Sequence, residues 1–360
     1  VQYVEIRHMG PRQGPAGDSD GVEGRYPLHF HHCGDNSRGS LAEGVAVHQS
    51  GNRAFVPHGS HGVTLRNCVA YDIMDDAYWW DFPDGNSDAN NTHDGVWDSC
   101  VAAWVKSDPT FRGYELAGFV LGHGNNNTCI NSVAVGIQGN KAATGFRWPQ
   151  KGNSFRGLWK FKDNVSHNNK RNGLGVWQNN TSDHHVEDTL IYHMGFAAIT
   201  HGAYVNEYHY ENITAYDCEH VVDLHAAGKT IPMLFTNVIG IDTRSEDVLI
   251  NAHNLPGIGA SFFGGSLTSL KLNDNPSNKA DANKGTYDFV DTGITVNDVT
   301  IASAAQDSLV RIQTGGSAWQ INSSGNVTSI APFADGSTPA PSPTTTTTTA
   351  APGPTTTTTA

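Results

Sequence analysis

The sequence predicts an all-β protein, a right-handed parallel β-helix, and three observations lead there. The 360 residues include 39 glycines and only 16% charged residues, a balance that suits many short strands and turns. No amphipathic stretch sustains a helical period over three or four capped turns, so little helix is expected. Most telling, one strand pattern recurs: a small polar residue, a β-branched residue or Leu, then alternation. It appears as RNCVAYD, DSCVAAW, INSVAVG, KDNVSHN, EDTLIYH, ENITAYD and FTNVIGI.

The matching apolar positions are Val69, Val101, Val133, Val165, Leu190, Ile213 and Val238, at intervals of 32, 32, 32, 25, 23 and 25 residues. Periods of this size mean stacked supersecondary units. Each unit offers a short strand between Gly and Asn turns, with no room for a crossover helix. That excludes a doubly wound α/β fold and favours coils stacked one strand spacing apart. The preceding residues (Cys68, Cys100, Ser132, Asn164, Thr189, Asn212, Asn237) are expected to form a polar ladder on one face. Cys68 and Cys100 would be neighbours in it, as a disulfide or as two stacked thiols.

Three segments follow. Residues 1–254 are read as β-helix coils, with insertions such as WDFPDGNSDANNTHDG enlarging the turns on what is often the binding face. The period blurs near Leu255, so 255–332 are read as final irregular coils and a cap that protects the last strand edge. Residues 333–360, dominated by Pro and Thr, cannot form a core and read as a disordered linker to a further module. The chain opens strand-like at VQYVEI, and a preceding segment is expected.

Composition narrows the partners. A formal charge of −13 argues against nucleic acid, whose phosphates need a basic face. No apolar run is long enough to span a bilayer. Sequons at Asn90, Asn126, Asn164, Asn179, Asn180, Asn212, Asn322 and Asn326, together with the Thr-rich tail, point to a secreted glycoprotein. Five cysteines are too few for a disulfide framework in a chain of this length.

The chemistry concentrates between Gly24 and Gly85. His29, His31, His32, His48, His58 and His61 gather there with Arg53, Arg66 and several aspartates. Ordinary cores do not collect ionisable groups at this density. Alternation puts His29 and His31 on one face of a strand and His32 on the other. The pair could hold a transition metal together with His48 or His58, although no Cys-x-x-Cys or His-Glu-x-x-His supports zinc. The acidic stretch Asp72 to Asp88 offers oxygen ligands for Ca²⁺, without the spacing of an EF-hand loop.

GRYPLHFHHCGD, then AVHQSGNRAFVPHGSHGVTLRNCVAYDIMDDAYWWDFPDG, then GNNNTCINSVAVG with ATGFRWP, resemble the β-helix region of the hyaluronan-depolymerising family. The resemblance runs from Val1 to about Asn180 and implies a pectate-lyase-like solenoid that cleaves glycosidic bonds. His29, His31, Gly34 and Asp35 match the family's His-rich strand, His48 and Arg53 its next coil, and His58 the one after. Tyr71, Asp72 and Asp84-Gly85 match its acidic end. The chain departs by carrying Asp76 where a His is expected, Asp81 inside an insertion, and Tyr78, Trp79 and Trp80 as its aromatics.

Together these imply a secreted enzyme acting on a glycosaminoglycan-like or related polysaccharide. His31, His48 and His58 are expected to be its acid/base group, with Asp72 and Asp84 as carboxylate partners. Arg53 would meet substrate charge, and His29, Trp79, Trp80, Asp76, Asp81 and Trp148 would line the sugar. A glycoside hydrolase needs an acid and a carboxylate base or nucleophile. A lyase acting on a polyuronide would instead need a base beside an Arg-neutralised carboxyl. The rivals from other classes are a non-catalytic glycan-binding or adhesion module, and a stalk whose His and Asp residues serve only as ladder glue.

Overall fold

The computed structural model describes residues 1–11, 24–79, 91–106, 116–139, 143–148, 157–176, 183–202, 207–225, 232–252, 259–274, 285–302, 308–322 and 324–333. It is a parallel β-helix. Among the described residues the strands form two long sheets, one of 19 strands and one of 11.

An early coil has three short strands. Phe55–Ser60 lies in the 11-stranded sheet, and Thr64–Arg66 and Val69–Met74 lie in the larger one. The coil after Asn172 runs its second and third strands together as Asp183–Tyr192, and the next as Glu207–Tyr216. The corner between them stays, with Asp188 and Asn212 left-handed, and the period falls from 32 residues because other turns shorten: eight residues separate Val135 from Thr144, but four separate His167 from Asn172. Parallel register continues past residue 254 to Leu309–Thr314, after which Ser317–Ile321 and Val327–Ile330 fold back antiparallel. The Pro/Thr-rich segment from 334 onward lies outside the described residues. Among those described, no helix is long and apolar enough to cross a membrane.

The expected polar ladder exists, but it faces the core. Cys68, Cys100, Ser132, Asn164 and Thr189 are buried, whereas Val69 and Leu190 point to solvent. Buried polar atoms must be bonded, and these are bonded coil to coil. The Ser132 backbone N–H donates to Asn164 Oδ1 at 2.9 Å, and Asn164 Nδ2 donates to the Cys129 carbonyl at 2.9 Å. The sequon at Asn164 is therefore a structural amide. In the later coils Thr189 pairs with Ile213 and Ile213 with Val238. Aligning Leu190 with Ile213 is thus one residue out of register, a slip that exchanges the two faces of a strand. All five cysteines are free thiols.

Asn and Asp are plentiful because the coil corners need them. Asn67, Ser99, Asn131, Asp163, Asp188, Asn212 and Asn237 stack at one corner with φ between 46° and 56°. Short polar side chains tolerate this left-handed conformation best. Several bond to one another along the axis, as Asn237 Nδ2 does to Asn212 Oδ1 at 2.9 Å.

Inside, aromatic residues of like register stack. Phe55, Tyr78, Phe119 and Phe146 follow one another at 4.7, 4.4 and 4.8 Å between ring centroids. Tyr210, Phe235, Phe262 and Phe289 do so at 4.8, 4.3 and 4.7 Å. Trp148 belongs to this interior. It is 1% exposed and packs edge-on against Phe161 and Tyr208, so it cannot stack on a sugar as the sequence suggested.

Candidate active site

The strand Leu28–Gly34 turns Leu28 and Phe30 toward the core, which sends His29 and His31 to the outer face of the 11-stranded sheet. Its neighbour Phe55–Ser60 pairs with it in parallel, His29 beside Val56 and His31 beside His58. The register therefore stacks His58 on His31. Ring centroids lie 4.9 Å apart for His29 and His31, 5.1 Å for His31 and His58, and 6.3 Å for His29 and His58. One ligand nitrogen from each of the three lies within 4.8 Å of the others. His29 Nδ1 donates to the carbonyl of Gly24 at 3.0 Å, which makes Nε2 the lone-pair nitrogen of that ring.

His32 joins the group, against the alternation expected of it. Its φ of 49° and a register shift between His31 and Gly34 form a bulge that turns the side chain outward. Its ring reaches 4.5 Å from His31 and 4.2 Å from His58. Gly59 makes the room: with φ at +53°, a Cβ there would lie 2.8 Å from His32 Nδ1.

An aromatic wall adjoins the imidazoles. Tyr26 lies 4.8 Å from His29 and 6.1 Å from Trp79, and Trp79 lies 6.5 Å from His58. Arg53 fixes this wall. Its Cζ sits 3.7 Å over the Trp79 ring, and Nη1 donates to the Tyr26 hydroxyl at 3.3 Å. On its other side Nε lies 3.4 Å from Asp75 Oδ2 and 3.8 Å from Asp76 Oδ2. Burial works against the guanidinium charge, but Asp75 and Asp76 outweigh it and hold Arg53 protonated. Asp76 is buried and accepts the Ala117 backbone N–H at 2.7 Å. Burial first, and Asp75 second, push its carboxyl well above the usual range, while Arg53, the Ala117 N–H and Arg147 pull it back.

The structure thus gathers His29, His31, His58, Arg53, Asp76 and Trp79, but several roles change. Arg53 already has two carboxylates against it, so it orients the wall rather than waiting for substrate charge. Trp79, 7% exposed and covered by Arg53, is an anchor more than a stacking platform. Asp76 is equally enclosed.

Two expected members sit elsewhere. His48 lies in Ala46–Ser50 of the other sheet, its Nε2 2.6 Å from Glu5 Oε1. Asp72 lies at a left-handed corner of that sheet, ion-paired with Lys106. Trp80, Asp81 and Asp84 lie outside the described residues, as does most of the acidic stretch considered for Ca²⁺. The residues missed were His32, Tyr26 and Asp75. All three stand in the quoted motifs, His32 beside His31, Asp75 beside Asp76, and Tyr26 three residues before His29.

Residues 1–96 match the family model described as CEMIP beta-helix. The cell surface hyaluronidase CEMIP2 of Homo sapiens is 31% identical over 80 residues, 21% of this chain and 5% of that protein. Fibrocystin-L of Mus musculus is 30% identical over 138 residues, 38% of this chain and 3% of that protein. The chain therefore spans a small fraction of the length of these curated relatives. Among solved structures, the catalytic unit of a thermostable GH87 α-1,3-glucanase from Streptomyces thermodiastaticus strain HF3-3 superimposes with a TM-score of 0.44 at 10% identity. That match covers 88% of this chain and 62% of the other. The stretch that matches the CEMIP beta-helix model contains the His-rich block that carries the resemblance, and the whole imidazole group falls within it.

Proposed function

We propose that this chain is a polysaccharide-degrading enzyme whose working surface is the outer face of Leu28–Gly34 and Phe55–Ser60. The observation that carries this reading is the convergence of four imidazoles on one face, with His31 and His32 exposed. Imidazole is the side chain best suited to giving and taking protons near neutral pH. His31 and His58 are assigned the proton transfers, His29 the orientation of their neighbour. Asp75 and Asp76 hold Arg53, and Arg53 holds Trp79 and Tyr26 as the wall of the site.

The names of the relatives suggest the substrate class, a glycosaminoglycan such as hyaluronan or a related acidic glycan. They also suggest an extracellular setting, which the exposed sequons at Asn126 and Asn212 suit. A lyase acting on a polyuronide is favoured over a hydrolase by one feature: among the described residues the exposed groups of the cluster, His31 and His32, are imidazoles, while Asp76 is buried.

The test is a reducing-end assay on hyaluronan, chondroitin, polyuronides and neutral β-glucans, with the ultraviolet absorbance of an unsaturated product followed in parallel. Reducing ends without absorbance indicate a hydrolase, and absorbance indicates a lyase. His31→Ala and His58→Ala proteins that stay folded should lose product while still binding glycan. A folded wild-type chain that binds glycan and releases nothing would replace this reading with a binding module.

A further inference from the structure

We propose that His29, His31 and His58 form a site for one late first-row divalent cation, with Zn²⁺ as the reference ion. This goes beyond the glycan reading and does not depend on it.

The donors decide the kind of ion. Three imidazoles suit Zn²⁺ and its neighbours, whereas Ca²⁺ takes six to eight oxygens. The trio includes no carboxylate.

Geometry comes from the sheet. His29 and His31 stand two residues apart on one strand, and His58 is in register with His31 on the next. Three side chains from rigid backbone therefore point at one place. Zn–N bonds of about 2.0–2.1 Å put tetrahedral ligand nitrogens roughly 3.4 Å apart. Nitrogens already within 4.8 Å of one another need a closure of about an ångström or so, within reach of side-chain rotation.

The orientation of His29 is a second, independent sign. Metal-bound imidazoles almost always donate their other N–H to a carbonyl or carboxylate, which fixes tautomer and ring. His29 does this through Nδ1 to Gly24 O. The exposed side of His31 leaves one coordination position facing solvent, the arrangement of a site that takes water or substrate as its fourth ligand. An ion held there would occupy the lone pairs of His31 and His58, so in the loaded chain Lewis acidity toward a sugar oxygen and the ion's bound water would replace their proton transfers.

The test uses the full chain with a histidine-free tag, stripped with chelator, dialysed and titrated with Zn²⁺ alone by calorimetry. Metal content is measured in parallel by mass spectrometry. One equivalent per chain is expected. His31→Ala and His58→Ala should each weaken binding beyond the roughly 10–100-fold that losing an outer-shell partner costs, and the double variant should retain none. His193→Ala, at an exposed histidine on the other sheet, and Cys33→Ser, beside the cluster, should keep the full equivalent. Circular dichroism of the stripped variants checks their folding. If a variant does not fold, Co²⁺ added to the wild type should give the intense visible bands of four-coordination, and one equivalent of Zn²⁺ should abolish them. Absent uptake, uptake that the double variant retains, or Co²⁺ spectra of six-coordination would overturn the proposal. None of these outcomes bears on whether glycan is cleaved.

Discussion

The outer face of the 11-stranded sheet is used in two ways along the same solenoid, and the contrast separates structural polar residues from a working cluster. In the later coils its polar side chains satisfy one another along the axis. Asn251 Nδ2 donates to Asp223 Oδ1 at 2.8 Å, Asn273 Nδ2 to Asn251 Oδ1 at 3.1 Å, and His225 Nε2 bonds Asp223 Oδ2 at 2.8 Å. Amides and carboxylates make such a ladder self-sufficient. In the first two coils the same face carries His29, His31, His32 and His58, ring against ring, with a bulge and a left-handed residue that a simple ladder does not need. Where a regular fold breaks its own local rules, function is the usual reason.

The comparison can be broken most severely from the regular end. Phe262→Ala removes the middle of the Phe235–Phe262–Phe289 stack and should cost about 3–5 kcal/mol. Denaturant melts would register this as a large fall in midpoint. A change below about 1 kcal/mol would mean that the late coils are not packed as one ladder.

Acid should act on the same region. His201 is fully buried, its Nδ1 2.9 Å from the Tyr210 hydroxyl, with His184, Tyr208 and His225 also facing it. Burial chiefly, with His184 and His225 adding to it, lowers its pKa from 6.5 to about 3. The unfolded chain therefore binds the extra proton between those values. The stabilisation is complete above pH 6.5 and is lost as pH falls toward 3, by on the order of a few kcal/mol. His201→Phe should flatten that slope in melts taken from pH 7 to 4, and an unchanged slope would exclude His201 as its source.

A matched pair of polar substitutions tests the distinction directly. Asn164→Ala orphans the Ser132 N–H and the Cys129 carbonyl, and should cost about 1–3 kcal/mol with activity per folded molecule unchanged. Asp76→Asn keeps an acceptor for the Ala117 N–H but leaves the buried Arg53 with Asp75 alone, and because Asp75 stays in place the fold should survive at a cost of about 3–5 kcal/mol at most. Glycan turnover should nonetheless drop about tenfold or more as Arg53 and Trp79 lose their setting. Equal turnover in the two variants would erase the contrast.

Gly59→Ala is the mildest change. A left-handed Ala costs about 1–2 kcal/mol, and its Cβ displaces the His32 ring. Turnover or metal uptake should change more than the melting midpoint does.

Much of this was legible beforehand. The 32-residue spacing of Val69, Val101 and Val133 gave the stacking unit, and alternation through LHFH placed His29 and His31 together. Three features were not. His48 reads like its neighbours in a list of histidines, yet its strand belongs to the other sheet, where Glu5 takes its ring. Trp148 is as consistent with a cleft as with a core, and only the packing of Phe161 and Tyr208 around it decides. His32 obeys alternation in sequence but sits on a bulge in space.

The amino-acid sequence by itself determined the period, the scarcity of helix among the described residues and the presence of an imidazole-rich block, because these depend on spacing and residue type along one strand. Tertiary structure decided which side of each strand met the core, which coil lay beside which, and which histidines shared a face. Those choices hang on register and on single left-handed residues, and a shift of one position exchanges inside for outside without altering the pattern read along the chain.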